Sequence, residues 1–326
     1  MNWPPETGAS HTIGATMRWC ASLLWMLIAP FAPSTSFAAP PTTAVTTSIA
    51  PTFQIKFWVG GMSSSLRDYQ VELVEAALKL TDADSPPYYI SYDHRPMSAE
   101  RSKIATERGE SIHAHFSSEW HGDFVNKKNV YLLDYPFLKD RLGLRKCITL
   151  RKKLPLLSSI DSLEKLKTLR IGQQSDWSDI IAYSNQGMEV VTAEDLHSLF
   201  GMLERNRYDC MPMSILEIDR TLADQIDEHP ELVVAPDLYV FYPISVYLSV
   251  SKTQPLLYQR LKFGLDQLFA DGTAAMLFNK HYGKFNTELN TPSPRVFTLT
   301  NPLLPSRKNN SIINAFNNRN LSDNKQ

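Results

Sequence analysis

Cysteine is scarce in this chain of 326 residues, which holds only Cys20, Cys147 and Cys210. So few thiols exclude a disulfide-framework scaffold and a four-cysteine zinc module. Charge of one sign is lacking as well: 33 Lys and Arg stand against 34 Asp and Glu, a formal charge of −1. Proteins held to nucleic acid by phosphate contacts are normally basic, so no nucleic-acid partner is expected. G-x-S-x-G, HExxH and GxxxxGK[ST] are missing. Without them no serine nucleophile elbow, zinc protease helix or P-loop is indicated, and no catalytic residue, metal or cofactor is assigned. No fixed-period repeat is found, and no run after residue 38 is apolar enough for a membrane helix.

The N-terminal region has a pattern of its own, MRWCASLLWMLIAPFAPSTSFAAP from Met17. Arg18 supplies a basic start, and Leu23 to Phe31 an apolar core too short to span a bilayer. Ser36-Phe37-Ala38 then offers small residues for cleavage. This reads as a secretory signal cut after Ala38, with residues 1–16 as an upstream extension and the true start open between Met1 and Met17. Cys20 leaves with the signal. A soluble periplasmic protein is expected, with a Pro/Thr/Ala-rich flexible leader over residues 39–51.

Beyond the leader, strand and helix patterns alternate. FQIKFWV (Phe53 to Val59) reads as a strand ending at Gly60-Gly61, and Leu66 to Leu80 follows with helical spacing. Tyr88 to Tyr92, Ile112 to Phe116 and Asn129 to Leu133 read as strands, with a polar helix over Ser98 to Arg108 stopped by Gly109. The pattern restarts with strands at Lys146 to Leu150 and Thr168 to Ile171, a helix over Asp176 to Asn185, a capping box from Thr192 to Asp195, and a strand at Tyr208 to Pro212. A helix over Ile215 to Ile226, a strand at Leu232 to Ala235, a long apolar strand VFYPISVYLSVS, and helices at Pro255 to Ala270 and Thr273 to Tyr282 complete it. The fold class is therefore α/β, with a mostly parallel sheet suggested for the first third, two lobes, and crossings near residues 145 and 240. Past Pro305 the Asn-, Ser- and Lys-rich composition predicts a disordered tail over residues 306–326.

Four stretches carry a resemblance to a known family. LEKLKTLRIGQQSDW is similar to an L-x-x-L-K-x-x-x-I-G strand and ligand loop, and MLERNRYDCMPMS to an L-x-x-G-R-x-D-A helix-to-strand step. VYLLDYPFLK resembles a segment that enters a hinge, and RVFTLTNPLLP an R-x-x-x-L-x-N-P-x-L-P ending. In this order they resemble the type 2 periplasmic solute-binding proteins of the polar amino acid branch, family 3, in an uncharacterised proteobacterial subgroup. The resemblance implies two α/β lobes joined by two hinge crossings and closing on ligand in the cleft between them. Lobe 1 then takes residues 52–144 and 243–305, and lobe 2 residues 145–242. It implies a monomer that binds a small polar solute, such as an amino acid, for an ABC importer or a membrane sensor. It also implies that the strands bearing Cys147 and Cys210 are neighbours, which permits one disulfide. The chain departs from the family in having Met213-Ser214 where an Asp is frequent, with Glu217 following, and Asn206 in place of Gly.

The candidate ligand residues lie where such a cleft would be. RIGQQSDWSD, Arg170 to Asp179, empties a strand into a helix start. There Gln174 and Ser175 offer polar side chains and Trp177 a wall; the alternative is that Asp176 caps the helix and satisfies those N–H groups. Trp58, Phe116 and Ser117 follow the first-lobe strands, and Tyr135 stands at the hinge entry. Arg145, Ser214 and Tyr242 stand near the crossings. Trp58 and Tyr242 either stack on ligand or pack between lobes. His113 and His115 share a strand face, but their spacing fits no closed zinc site. Two further readings stay open: an enzyme on the same receptor fold, such as a small-molecule dehydratase, and a partner that presents ligand to a membrane sensor.

Overall fold

The computed structural model describes residues 52–61, 63–119, 129–289 and 293–323. The export signal and leader expected over residues 1–51 lie outside the described residues, as do His121 and Asp123.

The first lobe starts with β1 (Phe53–Trp58), whose Ile55 and Phe57 are buried. Ser63 then caps α1 (Ser64–Lys79) by accepting from the Leu66 N–H, and Leu66, Tyr69, Leu73, Val74 and Ala77 form the buried stripe of that helix. β2 (Tyr88–Asp93), α2 (Ala99–Arg108), β3 (Ala114–Glu119) and β4 (Val130–Leu133) follow. Ser98 caps α2, and Gly109 ends it in the left-handed region at φ 66°.

The chain then crosses into the second lobe. There β5 (Leu144–Leu150), α3 (Leu154–Ser158), α4 (Leu163–Leu166), β6 (Ile171–Gln174), α5 (Ile180–Ser184), β7 (Val190–Ala193), α6 (Leu196–Glu204), β8 (Met211–Ser214), α7 (Ile218–Ala223) and β9 (Leu232–Phe241) run in turn. The return crossing leads to β10 (Ser245–Ser251), α8 (Pro255–Ala270), α9 (Thr273–Tyr282), β11 (Arg295–Thr298) and α10 (Ser306–Asp323).

Two sheets result. The first has the order β2-β1-β3-β10-β4, with β10 antiparallel to both its neighbours and contributed by the return crossing. The second has the order β11-β9-β5-β8, and a single bridge from Ile171 to Cys210 joins it to the β6-β7 pair. Cys147 on β5 and Cys210 beside β8 form a buried disulfide, their Cα atoms 5.4 Å apart. The two crossings touch: Tyr242 donates from its backbone to the Gly143 carbonyl at 3.2 Å, and a β-carbon on residue 143 would run into the Tyr242 carbonyl. Glycine is what lets the strands pass so closely.

Four expectations change. Residues 306–323 form helix α10 rather than a disordered tail, because that segment has anchors its average composition hides. Phe316 is buried flat against Phe241, and the buried Asn309 side chain bonds the backbone of Asn301 and Leu304. Arg295–Thr298 extends the second-lobe sheet along β9, so residues 243–305 are not all in lobe 1. The long apolar strand is split, because Pro243 has no N–H for a ladder and marks the return crossing. Asp176 caps nothing: α5 begins at Ile180 behind Asp179, whose side chain makes no cap.

Candidate functional site

The site grows from the two crossings. β5 brings Arg145 into register with Ser214 of β8 on one side and Val240 of β9 on the other. Its guanidinium is buried, and Nη2 lies 2.9 Å from Asp179 Oδ2; the two side chains are 8% and 10% exposed. Asp179 is available because α5 starts without using it as a cap. Tyr242, from the return crossing, lays its ring 5.5 Å from the Arg145 guanidinium and packs edge-on to Tyr183 at 5.6 Å. Burial pushes the Tyr242 hydroxyl well up, and the adjoining Asp179 carboxylate pushes it further.

A second carboxyl joins this cluster from α7. Glu217 is partly exposed as a residue, yet its carboxyl group is enclosed by protein atoms. Burial raises its pKa, opposed by a hydrogen bond from the Ser63 hydroxyl and by the charge on Arg145. Ser63 belongs to the first lobe, where the same hydroxyl caps α1. The Ser63 hydroxyl at the head of helix α1 therefore stands beside the Glu217 carboxyl of the other lobe. Two further links cross the same junction, Lys284 Nζ to Asp219 Oδ2 at 2.6 Å and Lys146 Nζ to Glu288 Oε1 at 2.7 Å. Gln173, fully buried on β6, has no hydrogen-bond partner among the described residues at either amide atom. A buried amide without partners is costly.

The expected site residues separate into three groups. Arg145, Ser214 and Tyr242 gather at the crossings. Ser214 is buried there, accepting from the Leu216 N–H at 3.3 Å and donating to the Arg141 carbonyl at 3.4 Å. Gln174 ends β6, and Ser175 and Trp177 occupy the loop after it. Ser175 is exposed with its N–H donated to Ala193, and Trp177 packs on the core between α6 and β8. The first-lobe residues serve packing. The Trp58 indole donates to the Arg95 carbonyl at 2.9 Å and meets His115 edge-on. Phe116 is wedged between Phe57 and Phe137, and Ser117 Oγ lies 3.3 Å from Ser249 Oγ. Tyr135 donates to Asp266 at 2.6 Å and stacks on Phe269, facing α8. His113 accepts from the Lys56 N–H, and His115 bonds Thr106 at 2.8 Å. These separate bonds draw the two imidazoles into the strand's own support. Ser63, Asp179 and Tyr183 are the participants that sequence reasoning missed. Of these, Asp179 closes the Arg170-to-Asp179 stretch that the sequence singled out.

Beside the crossings lies a cavity of about 320 Å³, lined by Tyr135, Lys139, Ser245, Lys308 and Ile312 among others. Helix α10 forms one of its walls, with Lys308 Nζ donating to the Tyr247 hydroxyl at 2.7 Å.

No protein-family model and no curated protein matches the chain. Solved structures do. A TRAP periplasmic solute-binding protein from Desulfovibrio salexigens, in complex with diglycerolphosphate, is similar over 83% of this chain and 100% of its own, at 13% identity and a TM-score of 0.52. A mutant arginine-binding protein from T. maritima matches over 71% of this chain and 95% of its own, at 16% identity and a TM-score of 0.45. An ancestral amino acid-binding protein, a precursor of cyclohexadienyl dehydratase, matches over 70% and 95%, at 16% identity and a TM-score of 0.48. The chain has the type 2 periplasmic-binding-protein fold, two α/β lobes joined by two crossings. At these identities the likeness is one of fold.

Proposed function

We propose that this protein is an exported solute-binding protein whose lobes close on a small polar ligand bearing a cationic amine, for delivery to an importer or a membrane sensor. The observation that carries the reading is the Glu217 carboxyl standing beside the buried Arg145–Asp179 pair at the lobe junction. Its neighbour Arg145 is already paired with Asp179, so the cluster holds two acids against one cation. A buried charge without a partner is expensive, and an amine entering beside Glu217 would supply one. An inter-lobe cleft is a favoured place for such a ligand. The residue assignments within it, the periplasmic location and the monomeric state belong to this proposal.

The test is a thermal-shift screen of the mature chain against amino acids, polyamines and small organic acids, followed by calorimetry. At a ligand concentration near 100 times the dissociation constant, a native-state binder gains about 2.7 kcal/mol. Amine-bearing compounds should shift the melting curve, and Glu217→Gln should abolish the shift. A screen in which only carboxylates without amines bind would overturn the amine assignment, and one without any shift the binding reading. A catalytic alternative would draw on the same Glu217, whose pKa is raised by burial. Recovering the ligand unchanged after long incubation separates binder from enzyme.

A further inference from the structure

At the far end of β5 from Arg145, we propose a metal site formed by His197, Glu228 and His229 that takes a borderline divalent ion such as zinc. Leu150, the last residue of β5, pairs with Leu232, three residues beyond His229. His197 stands in the first turn of α6, and Glu228 and His229 lie in the turn that leads into β9. One potential ligand atom from each falls within 4.8 Å of the others. His197 Nε2 is 3.9 Å from Glu228 Oε1, and the two imidazole centroids are 6.2 Å apart.

Two imidazoles and a carboxylate are a donor set that suits zinc. Metal–ligand bonds of about 2.0–2.2 Å at tetrahedral angles place neighbouring donors about 3.4 Å apart. The present spacing needs a contraction of about 1 Å, which side-chain rotation supplies, since His197 and Glu228 are 67% and 63% exposed. The independent sign is His229 itself. It is 6% exposed, yet neither ring nitrogen has a hydrogen-bond partner among the described residues. Glu204 Oε1 lies 3.1 Å from its Nδ1 without the alignment of a hydrogen bond. A buried imidazole left unpartnered is unusual. Metal at the other nitrogen would resolve it and let Glu204 hold Nδ1–H, the carboxylate–histidine–metal arrangement that orients ligating imidazoles. Three protein ligands leave a fourth position for water. Sequence spacing conceals the site, because His197 and His229 are separated by α6, β8 and α7.

The experiment uses the untagged mature chain, stripped with chelator and titrated with zinc chloride by calorimetry, with cobalt(II) as a spectroscopic stand-in. One zinc per chain should bind at micromolar affinity or tighter, and the cobalt adduct should show the intense visible bands of a low-coordinate nitrogen/oxygen site. The surface variants His197→Ala and Glu228→Gln should each weaken binding by about tenfold or more while leaving the melting temperature of the metal-free protein unchanged. Glu204→Gln, acting through His229, should weaken it by about 10-fold to 100-fold. Millimolar binding, a stoichiometry well below one, or wild-type affinity in His197→Ala and Glu228→Gln would each overturn the site.

Discussion

Arg145 and Asp179 face each other across 2.9 Å in the interior of the lobe junction, one from the outgoing crossing and one from the start of α5. Neither has enough solvent to carry its charge alone. Removing one partner of a buried pair strands the other, at a cost of about 3–5 kcal/mol. Asp179→Asn should therefore lose stability on that scale in urea unfolding. The double variant Arg145→Met/Asp179→Leu should lose distinctly less, because no charge is left buried. A loss in the double variant equal to the sum of the losses of its two single variants would show that the pair is not coupled.

The Ser63 hydroxyl caps α1 and stands beside the Glu217 carboxyl. Aspartate caps helices as well as serine does, but places a like charge beside Glu217. Ser63→Asp should keep helix content and separate the lobes, read as a larger radius of gyration in small-angle scattering at neutral pH. An unchanged radius at pH 7 with helix content preserved would count against Ser63 as an inter-lobe tie.

Phe316 lies on Phe241 with ring centroids 3.7 Å apart and planes 5° from parallel. That contact pins α10 across the return crossing. Truncating a buried phenylalanine costs about 3–5 kcal/mol in a core. Phe316→Ala should approach the lower end of that range and release α10, seen as faster amide exchange over residues 306–318. Exchange that stays as slow as in the parent chain would place the anchor elsewhere, at Asn309 for instance.

The disulfide between Cys147 and Cys210 closes a loop with a sequence separation of 63. Loop-closure entropy for such a length corresponds to about 4 kcal/mol, and native disulfides typically contribute about 2–5 kcal/mol. Replacing both cysteines by alanine should lower the unfolding free energy within that range and make stability indifferent to reductant. The parent chain should lose comparable stability when reduced in denaturant.

His115 is buried on β3, and desolvation lowers its pKa from the ordinary 6.5 to about 4. Between those values the unfolded chain takes up a proton that the folded chain refuses. The contribution is therefore whole above about pH 6.5 and is lost as pH falls towards 4, amounting to about 3 kcal/mol. His115→Gln, which keeps a polar partner for Thr106, should flatten the stability profile across this window. A profile as steep as that of the parent would assign the pH dependence to other groups.

Local signals account for much of what was legible in the sequence. The helices over Pro255–Ala270 and Thr273–Tyr282 begin and end where the residue pattern put them, because apolar spacing and N-terminal signals act within a few residues. The α/β class follows from the same periodicities. Arg145, Ser214 and Tyr242 were named as candidates because they border the crossings that the strand pattern marks. Trp58, Phe116 and Tyr135 read equally well as ligand walls or packing. Only their partners, the Arg95 carbonyl, the rings of Phe57 and Phe137, and Asp266, decide for packing.

The sequence by itself determined the alternation of strands and helices and the two points where the chain changes lobes, since these depend on neighbours three or four residues apart. Tertiary structure alone decided that Asp179 pairs with Arg145 instead of capping α5, that Ser63 reaches Glu217, and that Phe316 finds Phe241. Each of these joins residues from 34 to about 150 positions apart in the chain. In an extended chain they have no common surroundings, and their energies come from exclusion of water, which exists only once the lobes have assembled around them.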